Sequence, residues 1–60
     1  MNTENLPDVL TVPEIAKHLR LSRNMVYKLI DMGQLHCYRI GTAIRVSKEQ
    51  YLDYLARRAS

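Results

Sequence analysis

The sequence predicts a mainly α-helical domain with a small β-hairpin, and two observations carry this prediction. A helix-start pattern, in which a hydroxyl residue precedes helically spaced apolar residues, occurs three times, at Thr11, Ser22 and Ser47. After the second helix the apolar residues switch to alternating spacing, which is typical of strands. A chain of 60 residues with 47% hydrophobic content can bury one core. We therefore expect one domain over residues 10–60, preceded by a flexible lead-in over residues 1–9 that shows little periodicity.

The first predicted helix covers residues 12–19. Thr11 is its expected N-cap, and Glu14 stands at the position where a carboxylate can close a capping box. Only residues 20–22 separate this helix from the second one, which is predicted over residues 23–32 with Ser22 as its cap. So short a connection forces a sharp angle between the two helices, and this is the geometry of a helix-turn-helix unit.

The segment after the second helix is predicted to form a β-hairpin. Gly33 can supply the left-handed residue that ends the helix, and alternation then runs through residues 34–46. Gly41 and Thr42 suit a two-residue turn with glycine first, as type II′ prefers. One face is then wholly apolar and should cover the core: Leu35, Cys37, Ile44 and Val46. The other face is mixed and should be partly exposed: His36, Tyr38, Ile40, Ala43 and Arg45.

A third helix is predicted over residues 48–58, where Ser47 and Gln50 can form a second capping box. Tyr51 and Tyr54 are expected to cover the core with their rings rather than to stack on a ligand. The core itself is predicted from the helical spacing of apolar residues. Its expected members are Ile15, Ala16, Leu19, Val26, Leu29, Ile30, Leu52 and Leu55.

The second helix has two contrasting faces. An apolar stripe is predicted from Met25, Val26, Leu29, Ile30 and Met32. The opposite side carries Arg23, Asn24, Tyr27, Lys28 and Asp31. Guanidinium, amide, phenol and ammonium groups are those that reach phosphates and base edges in a major groove. Residues 15–48 also hold seven basic residues against one acidic residue, a net charge of +6, so the sequence indicates a polyanionic partner.

Three motifs in this order resemble a known family. The chain contains a Leu-Thr-x-x-Glu helix start at Leu10, Ser-Arg-x-x-Val-Tyr at Ser22, and Tyr-Arg-Ile-Gly at Tyr38. From Leu10 to Arg58 it resembles the excisionase-type helix-turn-helix domains, which are close relatives of the MerR-type DNA-binding domain. The resemblance implies a winged helix-turn-helix, with a two-stranded wing and a C-terminal helix. In that family the second helix enters the major groove and the wing approaches the adjacent minor groove or backbone.

The resemblance also implies which residues contact DNA. On and before the second helix they are Ser22, Arg23, Asn24, Tyr27 and Lys28; on or near the wing they are Arg39, Thr42 and Arg45. Two positions differ from the family pattern. The wing tip from Gly41 to Ala43 lacks the basic pair that many relatives carry after the glycine. Arg20 stands where many such turns have glycine, so a left-handed backbone there would carry strain.

The function expected from these features is that of a double-stranded DNA-binding protein. The leading interpretation is an excisionase-like architectural factor of a phage or mobile element, monomeric in solution and assembling cooperatively on DNA, with an integrase or recombinase as a candidate second partner. A small transcriptional regulator of the same fold is one alternative. A protein-interaction module is an alternative of another class, in which Met25, Met32, Tyr38 and Ile40 would form an adhesive patch.

Catalysis, cofactors and metals are not expected. His18 and His36 lack second ligands at metal spacing, and Cys37 falls on the apolar face of the hairpin as a small core residue. The apolar runs are too short for a transmembrane helix, and the first residues lack the pattern of a secretory signal. A cytoplasmic protein without an enzymatic site is therefore expected, and the family resemblance implies a bacterial, nucleoid-associated one.

Overall fold

The computed structural model describes residues 6–59, and this part of the chain forms three helices and a small antiparallel sheet. The mainly α class with a hairpin is confirmed, and the arrangement is that of a winged helix-turn-helix. In chain order the elements are β1 (Val9–Leu10), α1 (Val12–Leu19), α2 (Arg23–Asp31), β2 (Tyr38–Ile40), β3 (Ala43–Ser47) and α3 (Lys48–Ala59). Over the same residues, no helix is long and apolar enough to cross a membrane.

Two helices begin with the reciprocal hydrogen bonds that their sequences predict. In α1 the Thr11 hydroxyl accepts from the Glu14 backbone N–H, and the Glu14 carboxylate accepts from the Thr11 backbone N–H at 3.0 Å. In α3 the Ser47 hydroxyl and the Gln50 side chain form the equivalent pair, at 3.0 and 2.9 Å. Each box satisfies backbone donors that have no partner within the helix. Local side chains therefore fix where both helices begin.

The turn between α1 and α2 is closed by a left-handed residue. Arg20 has φ 59° and ψ 39°, and the Leu21 N–H returns to the Ala16 carbonyl at 2.9 Å. A side chain in this region crowds its own backbone, so the strain expected at this position is present. Across this short turn α1 and α2 contact each other.

The sheet contains one strand more than the sequence predicts. Strand β1 pairs with β3, Val9 opposite Ser47 and Leu10 opposite Val46, and the order across the sheet is β1-β3-β2. Val9, expected in the lead-in, instead belongs to the sheet, whereas residues 1–5 of that lead-in lie outside the described residues. A two-residue strand is too short to show alternation, and its partner is distant in the chain, so no local pattern could reveal it.

The hairpin has a two-residue turn, as predicted, and the predicted faces. Ile40 pairs with Ala43 across the turn, and Gly41 has φ +61°. Of the inner face, Leu35 and Val46 are almost fully buried, and the remaining members, Cys37 and Ile44, pack against the core. On the outer face Ile40 and His36 are exposed and Tyr38, Ala43 and Arg45 are half-buried. The inner face thus anchors the wing to the helices.

The core differs from the prediction at several positions. The buried residues are Leu10, Val12, Ile15, Ala16, Val26, Leu29, Leu35, Val46, Tyr51 and Tyr54; Leu19, Ile30 and Leu55 pack against them, as do Leu6, Cys37 and Ile44. Leu52, expected in the core, is only half-buried, because α3 turns Tyr51 and Tyr54 inward. Met25 and Met32, expected in the apolar stripe of α2, are both exposed. They lie at the edges of that stripe, where neither side chain is covered by the core.

A side-chain hydrogen bond joins the first helix to the third. The phenol of Tyr51, which is fully buried, bonds to Nδ1 of His18, and the two rings meet edge to face with centroids 5.2 Å apart. Burial raises the pKa of the Tyr51 phenol, and the positive charge of Arg58 opposes that rise. The bond provides a polar partner for the phenol, as buried tyrosines usually require.

Candidate nucleic-acid interface

The second helix presents a polar face to solvent along its first two turns. Arg23, Asn24, Tyr27 and Lys28 are all exposed, and their spacing places them on the side of α2 that faces away from the buried Leu29. Tyr27 keeps 43% of its surface accessible. The structure therefore brings together the four helix residues that the sequence singles out.

The start of α2 carries no negative charge. Ser22 is exposed, and its hydroxyl accepts from the Met25 backbone N–H at 3.1 Å. The first turn contains no acidic residue, whereas Glu14 and Glu49 lie in the first turns of α1 and α3. Since a helix N-terminus carries a partial positive charge, a first turn without a carboxylate favours the approach of an anion.

The other end of α2 is fixed to the C-terminal helix. Gly33 has φ +76°, as predicted, and lets the chain turn away from the helix. The Arg57 guanidinium then donates to the Gln34 carbonyl at 2.7 Å and forms an ion pair with Asp53 at 3.2 Å. No local pattern in the sequence indicates this link, because it joins residues far apart in the chain. Its consequence is that α3 helps to hold α2 in place.

The wing does not bring its two arginines together. In the observed register Arg39 lies opposite Ile44, and Tyr38 lies opposite Arg45, so the two arginines are on opposite faces of the hairpin. Arg39 is exposed. Arg45 is half-buried, and its guanidinium donates to the Ile44 carbonyl at 2.8 Å.

The tip of the wing is uncharged. Thr42 is exposed in the turn, and beside it Ile40 has 63% of its surface accessible. Between the helices, Arg20 adds an exposed guanidinium. Within the turn, α2 and the hairpin, exposed positive charge therefore comes from Arg20, from α2 and from Arg39, while the wing tip contributes small and apolar groups.

No metal site accompanies this surface. Among residues 6–59, no group of three or more histidine, cysteine or acidic side chains is arranged so that it could hold a metal ion. Cys37 is a half-buried free thiol packed against the core.

The helix pair, its short turn, the exposed polar face of α2 and the attached hairpin define a winged helix-turn-helix domain. A family model described as a helix-turn-helix domain matches residues 9–59. The chain belongs to this family, and within it to the excisionase type.

Curated relatives are similar over most of the chain. A "Probable excisionase" of Saccharopolyspora erythraea is 41% identical over 49 residues, covering 82% of this chain and 50% of the relative. An "Excisionase" of Streptomyces ambofaciens is 37% identical over 49 residues, covering 82% of this chain and 79% of the relative. A protein of Mycobacterium tuberculosis named "Putative DNA-binding protein MT0521" is 38% identical over 47 residues, covering 78% of this chain and 60% of the relative. The chain thus spans about half the length of the first of these relatives. No solved structure matches it.

Proposed function

We propose that this chain binds double-stranded DNA with α2 in the major groove. The observation that carries the proposal is the exposed face of α2, on which Arg23, Asn24, Tyr27 and Lys28 lie side by side near a helix start without acidic residues. An α-helix fits the major groove, where each base pair presents a distinct set of donors and acceptors. The chain acts in this proposal as a binding protein and not as an enzyme.

Each group on this face has a specific part in the proposal. Arg23 reads guanine with two hydrogen bonds or clamps a phosphate, and Asn24 pairs with adenine. Tyr27 donates a hydrogen bond to a phosphate, and Lys28 supplies positive charge that is not specific for sequence. Ser22, together with the backbone N–H groups of the helix start, faces a phosphate.

The wing has a supporting part. Arg39 is exposed and contacts the backbone of the adjacent groove, with the Thr42 hydroxyl as a second, uncharged contact. The guanidinium of Arg45 is engaged with the Ile44 carbonyl, so Arg45 contributes chiefly by adding charge. The wing therefore holds the domain on DNA while α2 selects the site.

In the cell, we propose, the chain is an excisionase-like architectural factor of a phage or mobile element. The relatives named as excisionases support this role. A lone module of this kind buries about 600–1,000 Å² of protein surface on DNA, at the low end for specific complexes. One copy should therefore bind weakly, and useful occupancy requires several copies side by side on DNA or contacts with a recombinase.

A gel-shift and bending series tests this role. The DNA carries one, two or three copies of the bound site, and sedimentation of the free protein runs alongside. We expect a monomer without DNA, weak binding to one site, and cooperative, bent complexes on repeated sites. Tight binding to a single site without bending, or a stable dimer without DNA, would instead favour a small transcriptional regulator.

A further inference from the structure

The helix start of α2 departs from those of α1 and α3 at one position. The third helical residue is Glu14 in α1 and Gln50 in α3, and both side chains return a hydrogen bond to the backbone of the cap. In α2 the same position holds Met25, whose thioether is only a weak acceptor. The helix that presents the polar face thus lacks half of the capping box that the other two helices possess.

Met25 is also not used by the core. Its side chain is 41% exposed, whereas the next residue, Val26, is fully buried. Met25 follows Asn24 directly and lies one turn before Lys28, so its thioether borders the polar face in the first turn of α2. Met25 therefore presents an exposed apolar surface beside the polar face, without the return hydrogen bond to the cap that Glu14 and Gln50 make.

The chemistry of the major groove provides a partner for such a surface. Thymine is the only base that presents an apolar group there, its C5-methyl, and apolar side chains read it by contact. A methionine is long, flexible and polarisable, and it adapts to such a surface. A glutamate at this position would close the capping box, but its charge would repel the phosphates on either side of the groove.

We propose that Met25 is a specificity-determining residue that packs against the C5-methyl group of thymine, next to the base read by Asn24. This inference rests on the proposed function, because it requires α2 to lie in the major groove. It assigns a base-reading part to a residue that the sequence pattern places in the apolar stripe. It also explains why this helix start forgoes a capping partner.

The test removes the methyl group from the DNA and the thioether from the protein. Duplexes that bind the chain are selected from a random pool, and each thymine is replaced in turn by deoxyuridine, which keeps every hydrogen-bonding group and lacks only the methyl. Binding is measured for the wild type, Met25→Gln and Met25→Leu. Met32→Gln is the matched control, since Met32 is also exposed but lies at the far end of α2.

For the wild type we expect binding to become about fourfold weaker when one or two particular thymines are replaced by deoxyuridine. A change of about fourfold in affinity is what the burial of one methyl group contributes. Met25→Gln should bind the thymine duplex about fourfold more weakly than the wild type does, and its affinity should not fall further when thymine is replaced by deoxyuridine. Met25→Leu should keep the preference for thymine, and Met32→Gln should match the wild type. Because glutamine can close the capping box, Met25→Gln should melt at or above the wild-type temperature by circular dichroism, which excludes unfolding as the cause.

Two results would overturn the inference. One is a wild type that tolerates deoxyuridine at every position; the other is a Met25→Gln variant that still loses affinity when the methyl is removed. Both leave duplex binding intact, so they are distinguishable from failure of the proposed function, in which no duplex would be enriched from the pool.

Discussion

The second helix and the wing differ in how they hold their polar groups. On α2, Arg23, Asn24 and Lys28 project from one rigid face. On the hairpin, Arg39 and Arg45 point to opposite sides, and Arg45 is bound to the backbone of its own strand. The nine-residue helix thus carries its hydrogen-bond donors on one side, whereas the two arginines of the hairpin lie on opposite faces.

This difference indicates a division of labour between the two elements. Sequence is read by groups that converge on base edges, and of these two elements α2 is the one to which we assign such a set. Dispersed charges can still attract phosphates, which hold a protein in place without reading sequence. The comparison predicts that substitutions of Arg23 or Asn24, the base-reading residues of α2, change specificity, and that substitutions on the wing change affinity alone.

The largest effect should come from the base-reading residues. Arg23→Ala or Asn24→Ala should reduce discrimination between the selected site and random DNA by about 1–3 kcal/mol, the value of a good bidentate base contact. Competition titrations with both duplexes measure this. Lys28→Ala is the control, and it should weaken both complexes about equally. If Arg23→Ala and Asn24→Ala lowered only non-specific affinity, α2 would not read bases in the proposed way.

In the turn between the helices, replacing Arg20 should raise the stability of the fold and lower its affinity for DNA. Arg20→Gly removes the left-handed strain and should stabilise the fold by about 1 kcal/mol. It also removes an exposed guanidinium beside α2, so DNA affinity should fall at the same time. Thermal unfolding and DNA titration of one preparation measure both quantities. A destabilised variant would mean that the Arg20 side chain makes a contact worth more than the strain.

Adding a positive charge to the wing tip should strengthen DNA binding. Thr42→Lys places a charge in the exposed turn, and one added phosphate contact should steepen the log–log salt dependence of binding by about 0.9. Affinity should rise for selected and random DNA alike. Thr42→Gln is the control, because glutamine is a long side chain like lysine but carries no charge. No change in the salt dependence would place the tip away from the DNA.

The smallest effect is expected at Arg45. Arg45→Ala should weaken DNA binding less than Arg39→Ala does, because the Arg45 guanidinium is engaged with the Ile44 carbonyl and Arg39 is exposed. Titrations of the two variants at the same salt concentration compare them directly. An equal or larger loss for Arg45→Ala would show that both faces of the hairpin meet DNA.

Features with a local cause could be predicted from the sequence. The caps at Thr11, Ser22 and Ser47 predict the three helix starts, because each acts within one turn. The glycine turn and the alternating residues predict the hairpin and its buried face. The polar face of α2 also follows from helical spacing, so its four side chains are identifiable from the sequence alone.

Features that depend on distant residues could not be predicted. Strand β1 exists only because β3 pairs with it, and the bond from Arg57 to Gln34 requires α3 to reach the end of α2. Met25 fits the apolar spacing of α2 as well as Leu29 does, but only Leu29 is covered by its neighbours. The spacing of residues gives the direction in which a side chain points around the helix axis, whereas its burial depends on which other residues pack against it.

The most direct test of the central claim is the salt dependence of binding to duplex DNA. If α2, the turn and the wing together neutralise about five phosphates, the logarithm of the association constant should fall against the logarithm of salt concentration with a slope of roughly −4 to −5. Lys28→Ala should reduce this slope by about one unit. A flat salt response would contradict the account, because the exposed basic surface would then have no part in holding DNA.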